Sequence, residues 1–257
     1  KFLIVGDVCG RPGREAFRKY VPELKKEHNI DVVVVNGENI AGGRGISRKT
    51  LDEIYRAGAD IVTSGNHIWD QKEIVSFIDD EPFLIRPANY PEGAPGKGYC
   101  IYPFKAKNIG VINVSGRTFM PPMDCPFQKV DEILKEIKNQ CDIILVDIHA
   151  EATSEKIAMG FYLDGKVTCV VGTHTHVQTA DNRILPKGTA YISDLGMVGP
   201  YNSSLGINVN NAIDKFITCR PVRFEMAEGP NIFSAVVLEL AEDNSVKSFE
   251  RILFNEE

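Results

Sequence analysis

Near the start of the chain, short apolar runs alternate with polar loops and helical stretches, and this order occurs three times. The apolar runs have the length of buried strands and cover residues 2–5, 31–35 and 61–63. The stretches that follow them predict helices over residues 14–26, 48–56 and about 70–77. Ser47 and Asp70 are placed to cap the second and third helices. Strands that alternate with helices predict a largely parallel sheet.

The remainder of the chain has a mixed pattern. Two apolar runs at residues 99–102 and 109–114, joined by a short polar loop, predict a hairpin. Further helices are predicted over residues 126–138 and from Thr153 or Ser154 onward. Further strands are predicted over residues 143–146, 167–171, 190–192, 221–225, 232–240 and 246–253. No repeat or linker divides the sequence, so we expect one domain over residues 1–257, with a mixed β core covered by helices.

Composition narrows the function classes. The 257 residues are 43% hydrophobic and 25% charged, as in an ordinary globular protein. The net charge of -6 argues against a general nucleic-acid-binding surface, and longer RNA as a substrate would require a local basic groove. A small phosphate-containing substrate stays possible, because bound metal ions can supply the positive charge.

Cysteine usage and hydropathy bear on location. The six cysteines show no CxxC spacing, which indicates a reducing setting without a disulfide framework. Residues 2–5 are predicted to form a strand that runs straight into the fold, so no signal peptide is expected. No apolar stretch approaches the roughly 20 residues of a membrane helix. We therefore expect a cytoplasmic protein with no membrane contact.

The segment 172–176, Gly-Thr-His-Thr-His, follows directly after the strand predicted over residues 167–171. Histidines two residues apart in an extended segment point to the same side, so His174 and His176 can face one site. Imidazole is a common ligand of zinc, iron and manganese. The pair therefore makes this strand end a candidate metal site.

Five predicted strands end in side chains that can bind metal. These side chains are Asp7, Glu38, Asn39, Asn66, His67, His149, His174 and His176. Any one of them has an ordinary alternative role as a turn, cap or core residue. Because sites form at the carboxyl ends of parallel strands, we expect the whole set to converge in one crevice.

Mixed carboxylate, amide and imidazole donors suit two metal ions that share a bridging carboxylate. Such a pair clamps the attacking and leaving oxygens of an in-line displacement at phosphorus. A leaving alkoxide also needs a proton, which a histidine outside the metal shell can donate. The residues therefore point to phosphoester hydrolysis.

The sequence resembles the calcineurin-like metallophosphoesterases and, within them, the YmdB-like phosphodiesterases of bacteria. The matching motifs are GDVCGRPGR, VVNGENIAGGRGIS, TSGNHIWD, RPANYP, VDIHAEATSEK and VGTHTHVQTAD. The resemblance implies a four-layer α/β/β/α sandwich with mixed sheets, a two-metal site and a homo-oligomer. It also implies hydrolysis of small phosphodiesters, notably 2′,3′-cyclic nucleotides such as cyclic AMP and cyclic GMP, by a metal-bridging hydroxide.

The resemblance also implies roles for the candidate residues. One metal would be held by Asp7, Glu38, Asn39 and His176. The other would be held by Glu38, Asn66, His149 and His174, with Glu38 bridging. His67 would be the general acid. The wider superfamily begins with a D-x-H motif, whereas this chain has Asp7-Val8-Cys9, and its oxygen-rich donor set suits iron or manganese better than zinc or magnesium.

Each of five further residues can be interpreted in two ways, as part of the site or as an ordinary structural residue. Arg44 can meet a substrate phosphate or be a solvated loop residue, and Asp70 can orient His67 or only cap a helix. Cys9 can be a soft ligand or a packed thiol. Glu151 and Glu155 can support the metal ligands or lie on a helix surface.

The function expected from the sequence is thus a di-metal phosphodiesterase acting on cyclic nucleotides. Two alternatives remain open at this point. The same metals can serve a phosphomonoesterase or protein phosphatase. The site can also belong to a regulatory protein that binds a nucleotide with little turnover.

Overall fold

The computed structural model describes residues 1–256 and contains thirteen strands in this part of the chain. The strands are β1 Phe2–Val5, β2 Asp7–Val8, β3 Val32–Asn36, β4 Ile61–Thr63, β5 Tyr99–Phe104, β6 Lys107–Ser115, β7 Ile143–His149, β8 Cys169–Thr173, β9 Arg183–Ile184, β10 Ala190–Ile192, β11 Met197–Pro200, β12 Asn231–Leu240 and β13 Val246–Asn255. The helices are α1 Gly10–Glu27, α2 Arg48–Arg56, α3 Pro126–Ile137, α4 Thr153–Leu163 and α5 Val209–Thr218. Two short 3-10 helices cover Lys72–Ser76 and Ile78–Asp80.

The strands form two mixed sheets. In the first sheet the order is β2-β11-β12-β1-β3-β4, with β13 added on β12. In the second sheet the order is β5-β6-β7-β8-β10-β9. The strands β1, β3 and β4 are parallel to one another, as are β6, β7, β8 and β10. The carboxyl ends of these strands are therefore available to build a common site.

Side-chain alternation along the central strands separates the layers. On β1, Leu3 and Val5 pack with the helices α1 and α2, whereas Phe2 and Ile4 pack toward the second sheet. A third apolar cluster lies between the second sheet and the helices α3 and α4. Three cores between four layers confirm the predicted four-layer α/β/β/α sandwich with mixed sheets.

Three local predictions are wrong. The helix predicted from residue 14 begins at Gly10, so the Gly-rich turn is its first turn. The segment predicted as a helix over residues 70–77 forms the two 3-10 helices, and Asp70 contacts His67 instead of capping them. Residues 221–225 do not form a strand, and the backbone of Glu225 instead bonds to Asn208 and to the side chain of Asn211 at the start of α5.

The helix α5 was not predicted. Most of its apolar residues are exposed, namely Val209, Ile213, Phe216 and Ile217. This spacing is helical, so the signal was present in the sequence. Within residues 1–256, none of the helices combines the length and the apolar character needed to cross a membrane.

Candidate active site

The eight predicted donor residues lie at the carboxyl ends of strands in both sheets. Asp7 on β2, the pair after β3 and the pair after β4 come from the first sheet. His149 ends β7, and His174 and His176 follow β8, in the second sheet. The site therefore lies along the line where the two sheets meet at one edge.

The donors divide into two groups with Glu38 in both. One group is Glu38, His149 and His174, and the other is Glu38, Asp7 and His176. In each group the ligand atoms lie within 4.8 Å of one another. Because each group takes residues from both sheets, the pair of groups spans the gap between them. This arrangement suits two cations that share one carboxylate.

Short contacts set the geometry of the first group. The Nε2 atom of His149 lies 3.1 Å from Oε1 of Glu38 and 3.0 Å from Nδ1 of His174. The amide oxygen of Asn66 lies 3.0 Å from the same His149 nitrogen. Two imidazoles, a carboxylate and an amide therefore face one small volume.

The second group contains the other amide. The Nδ2 atom of Asn39 donates to Oε1 of Glu38 at 3.1 Å and lies 3.2 Å from Nε2 of His176. Oδ1 of Asp7 lies 3.8 Å from that histidine nitrogen. Asn66 thus lies beside the first group and Asn39 beside the second. With these two amides, all seven residues predicted as metal ligands lie close together.

The carboxylates of Asp7 and Glu38 are buried, so their negative charges need a favourable partner in place of water. Asp7 is 0% exposed and Glu38 is 1% exposed, and Oδ1 of Asp7 has no hydrogen-bond partner within the described residues. Burial raises the pKa of Asp7 to about 7, although His176 and His149 oppose the shift. An unpartnered buried carboxylate oxygen inside a donor group fits a bound cation, which would supply the missing interaction.

The other ionisable groups of the site are shifted by their neighbours. Burial would raise the pKa of Glu38, but the charge and hydrogen bond of His149 lower it to about 2. Burial and the charge of His149 lower the pKa of His174 to about 3. Glu38 is therefore ionised and His174 neutral, as metal ligation requires.

A hydroxyl selects the tautomer of His149. Oγ1 of Thr173 donates to Oδ1 of Asp147 at 2.8 Å, so its proton is already used. The same oxygen lies 2.9 Å from Nδ1 of His149 and must accept a proton from it. Once the ring is neutral, as metal ligation requires, Nε2 carries the lone pair that faces Glu38 and Asn66, and is the nitrogen that can bind a metal.

Asp147 also joins the two sheets beneath the site. It accepts hydrogen bonds from Oγ1 of Thr63 at 2.5 Å and from Nδ2 of Asn36 at 3.3 Å, both on the first sheet. Neither Asp147 nor Thr173 was predicted from the sequence. The available signal was a charged residue inside the apolar strand that leads to His149.

The loop that carries the two histidines is held by a buried ion pair. The backbone and hydroxyl of Thr175 donate to Oδ2 of Asp194 at 3.0 and 2.7 Å. Nζ of Lys156 donates to the same oxygen at 2.6 Å, and both charged residues are 1% exposed. Asp194 therefore fixes Thr175, the residue between the two candidate ligands, and the sequence analysis did not identify this contact.

The expectation of an extended His-x-His segment is wrong. The strand β8 ends at Thr173, and His174 and His176 both have positive φ values, 103° and 63°. Such conformations are uncommon for residues with a side chain. The bends direct the two histidines into different donor groups.

His67 lies at the rim, outside both donor groups. Its Nδ1 atom is 3.0 Å from Oδ2 of Asp70, and its side chain is 25% exposed. Its backbone amide donates to Oε2 of Glu38 at 3.2 Å. Asp70 thus takes the orienting role that the sequence left open.

The rim and the donor groups enclose a cleft of about 280 Å³. Its lining residues are Cys9, Glu38, Asn39, Gly43, Arg44, His67, Glu151, His174, Thr175, His176, Leu205, Ile207 and Met226. Arg44 is exposed at its wall. A cleft of this size, with candidate metal ligands at its base, can receive a small molecule.

The structure distinguishes the two interpretations for Cys9, Glu151 and Glu155. Cys9 is buried, and its Sγ atom lies 3.7 Å from Nδ1 of His176, which is not the nitrogen facing the donors. Oε2 of Glu151 lies 3.3 Å from Nε2 of His174 and can orient that ring. Glu155 instead accepts from the backbone amide of Arg117, away from the donors. Cys9 is thus buried beside His176, and of the two glutamates only Glu151 contacts a candidate ligand.

Comparisons with known proteins agree along the whole chain. A model of the family described as "YmdB-like protein" matches residues 3–252. A Bacillus subtilis (strain 168) protein described as a 2′,3′-cyclic-nucleotide 2′-phosphodiesterase is 51% identical, over 100% of this chain and 98% of that protein.

Two solved structures share the fold. One is described as a hypothetical protein from Thermus thermophilus; its TM-score is 0.94 at 40% identity, over 100% of this chain and 99% of that one. The other is described as a novel phosphatase from Mycoplasma pneumoniae; its TM-score is 0.93 at 35% identity, over 99% of this chain and 92% of that one.

Proposed function

The chain belongs to the YmdB-like protein family, and from this membership we propose that it is a metal-dependent phosphodiesterase acting on 2′,3′-cyclic nucleotides. The observation that carries the proposal is the position of Glu38 in both donor groups, beside a cleft with a histidine at its rim. The relative at 51% identity is named for cleavage of the 2′ ester. We propose that this chain cleaves the same ester bond, so the product would be a nucleoside 3′-monophosphate.

Seven residues would hold the metals. Asp7, Asn39 and His176 serve one ion, Asn66, His149 and His174 serve the other, and Glu38 serves both. Two bound metal ions supply Lewis acidity toward the phosphate and toward a water nucleophile. The mixed oxygen and imidazole set favours iron or manganese over zinc or magnesium.

His67 would protonate the leaving 2′ oxygen. Because Asp70 accepts the proton on Nδ1 of His67, the other ring nitrogen is left to act toward the cleft. The same contact holds the ring in one orientation, which proton donation to a fixed substrate oxygen requires. The backbone of His67 holds Glu38, so the acid and the shared ligand are positioned by the same residue.

Arg44 would bind the substrate from the cleft wall. The carbonyl oxygen of its backbone accepts from Nε2 of Gln71 at 2.9 Å, which fixes the loop beneath the side chain. The guanidinium can then meet a phosphate oxygen or the nucleotide.

Phosphomonoester hydrolysis is the second candidate, supported by the solved relative described as a phosphatase. It ranks below diester hydrolysis, because the relative named as a diesterase matches more closely and over the full chain.

The test is hydrolysis of 2′,3′-cyclic AMP by the manganese- or iron-loaded protein, with the product isomers separated by chromatography. We expect 3′-AMP and no activity after chelation. Release of 2′-AMP would contradict the assigned bond. No turnover by protein with both metals bound, together with turnover of a monoester, would favour the second candidate.

A further inference from the structure

A second cleft, of about 510 Å³, lies between α1 and α2 on the outer face of the first sheet. Its lining residues are Arg11, Arg14, Glu15, Arg18, Lys49, Glu53, Arg56 and Ala57. Five cationic and two acidic side chains give this basic groove a net charge of +3, in a chain whose net charge is -6. The groove is therefore a locally basic surface on an acidic protein.

Part of this positive charge has no acidic partner. Arg14 pairs with Glu53 at 2.6 Å, and Arg11 pairs with Glu15 at 2.8 Å. Arg18 and Lys49 make no ion pair within residues 1–256, and both are exposed.

The unpaired cations lie close to one acidic residue. The pKa of Glu53 is lowered first by its hydrogen bond from Arg14, and the charges of Lys49 and Arg18 act in the same direction. The two helices therefore present their positive charges to a shared space. Like charges that lie close together without partners repel one another and destabilise the folded chain, and a bound anion relieves this repulsion.

One loop connects the catalytic cleft to the basic groove. The backbone amide of Gly10, at the start of α1, donates to the carbonyl oxygen of Asn39 at 2.9 Å. Arg14 donates to the carbonyl oxygen of Ile40 in the same loop. That loop carries Arg44 and continues into α2, where Lys49 is the second residue.

Both helices run away from the catalytic edge, because each follows a strand that ends there. At a rise of about 1.5 Å per residue, Arg11 and Arg18 are roughly 10 Å apart along α1. Cations spread over this length suit several phosphates in succession better than one isolated phosphate.

We propose that the basic groove binds the sugar-phosphate backbone of single-stranded RNA whose 3′ end carries the 2′,3′-cyclic phosphate hydrolysed in the catalytic cleft. This inference rests on the proposed function and names its substrate class as RNA ends. The reaction is the same: water adds to phosphorus, the bond to the 2′ oxygen breaks, and that oxygen takes a proton. The product is an RNA with a 3′-phosphate and a free 2′ hydroxyl.

No aromatic side chain lines the groove within the described residues, so base stacking does not contribute there. Binding is expected to depend on phosphates, to be independent of sequence, and to weaken as salt rises. A free cyclic mononucleotide has no further phosphates and gains nothing from the groove.

The experiment compares kcat/KM for 2′,3′-cyclic AMP and for a short oligoadenylate with a 2′,3′-cyclic end, using the manganese-loaded full chain. We expect the oligonucleotide to be favoured by about 10-fold at low salt, and less as salt rises. The double variant Arg18→Gln with Lys49→Gln should remove this preference and reduce the salt slope by about 2. Its turnover of cyclic AMP should be unchanged.

The matched control is Lys138→Gln with Lys187→Gln, which removes the same charge beside the amino ends of β7 and β8. This control should keep the oligonucleotide preference. If cyclic AMP is hydrolysed and the oligonucleotide is no better, the RNA inference is wrong and the proposed function stands. If neither is hydrolysed with metals bound, the proposed function fails.

A third arm uses vesicles containing anionic lipid. Salt-sensitive vesicle binding that is lost in the Arg18→Gln and Lys49→Gln variant, without any oligonucleotide preference in the wild type, would assign the groove to a membrane surface and overturn the RNA assignment. Equal losses in both double variants would show a nonspecific charge effect and would also overturn it.

Discussion

Oγ1 of Thr173 lies 2.9 Å from Nδ1 of His149, and this contact fixes the nitrogen that His149 presents to the donor groups. Replacing Thr173 with Val keeps the shape but removes the acceptor, so the ring can adopt the other tautomer. We expect Thr173→Val to weaken binding of the metal that His149 serves by about 10–100-fold, as is usual when such a partner is lost. Thr173→Ser should restore it. Metal affinity and content, measured by titration and elemental analysis, check this.

Glu38→Ala is the reference for that experiment. Because Glu38 lies in both donor groups, its removal should lower occupancy of both metals, whereas Thr173→Val should affect one. Equal loss in the two variants would contradict the specific link between Thr173 and His149. Full loading of Glu38→Ala would contradict the sharing of Glu38.

The stability of the metal-free protein should depend on Asp7. Burial raises its pKa from the ordinary value of 3.8 to about 7. Between these values the folded protein keeps a proton that the unfolded chain has lost, so the free energy of unfolding falls as pH rises, and the full penalty remains above about pH 7. At about 1.4 kcal/mol per pKa unit, the penalty is at most about 4 kcal/mol.

Chelated Asp7→Asn should therefore be more stable than chelated wild type at about pH 8 and nearly equal to it at about pH 4. Urea denaturation at both values measures the difference. A constant difference across this range would show that Asp7 is not buried with a raised pKa. Added metal should stabilise the wild type more than the variant.

His67 should be needed for turnover but not for metal binding. His67→Ala removes the imidazole and keeps the backbone amide that holds Glu38. We expect both metals to remain and turnover to fall by about 10²–10⁴-fold, the usual contribution of acid–base catalysis. Asp70→Asn should give a smaller loss. Unchanged turnover in His67→Ala would remove this residue from the mechanism.

Lys156 should be needed for stability. Lys156→Met leaves the buried carboxylate of Asp194 without its cation, which should lower the free energy of unfolding by about 3–5 kcal/mol. The control is Lys166→Met, because Lys166 and Asp131 form an exposed pair whose loss should cost under about 1 kcal/mol. Similar urea midpoints for the two variants would contradict the structural role of Lys156.

Much of the site could be predicted because its ligands follow apolar strands. A strand end such as Thr63, or the run before His149, is visible in the sequence, and parallel strands bring their carboxyl ends together. The resemblance then divided the candidate ligands into two sets, and the structure places Glu38 in both donor groups and His176 in the group with Asp7.

The supporting residues could not be predicted in the same way. Lys156 and Asp194 are 38 positions apart, and a lysine on a helix looks like a surface residue until the helix is placed on a sheet. The basic groove has the same origin, since Arg18 and Lys49 belong to different helices. The role of Asp70 could not be decided from the sequence, because an aspartate at this position can either cap a helix or pair with the histidine three residues earlier.

The ligand groups have a mechanical consequence, because each takes side chains from both sheets. A cation held by Asp7 and His176, or by Glu38 and His149, would connect the two sheets in addition to their apolar core, and a chelator could remove that connection. Asp147 joins the same two sheets just below, through its hydrogen bonds from Thr63 and Asn36. Because each group spans the gap between the sheets, the packing between them would set how closely the donors of each group approach one another. Overpacking the core between the sheets would change catalysis without touching a ligand.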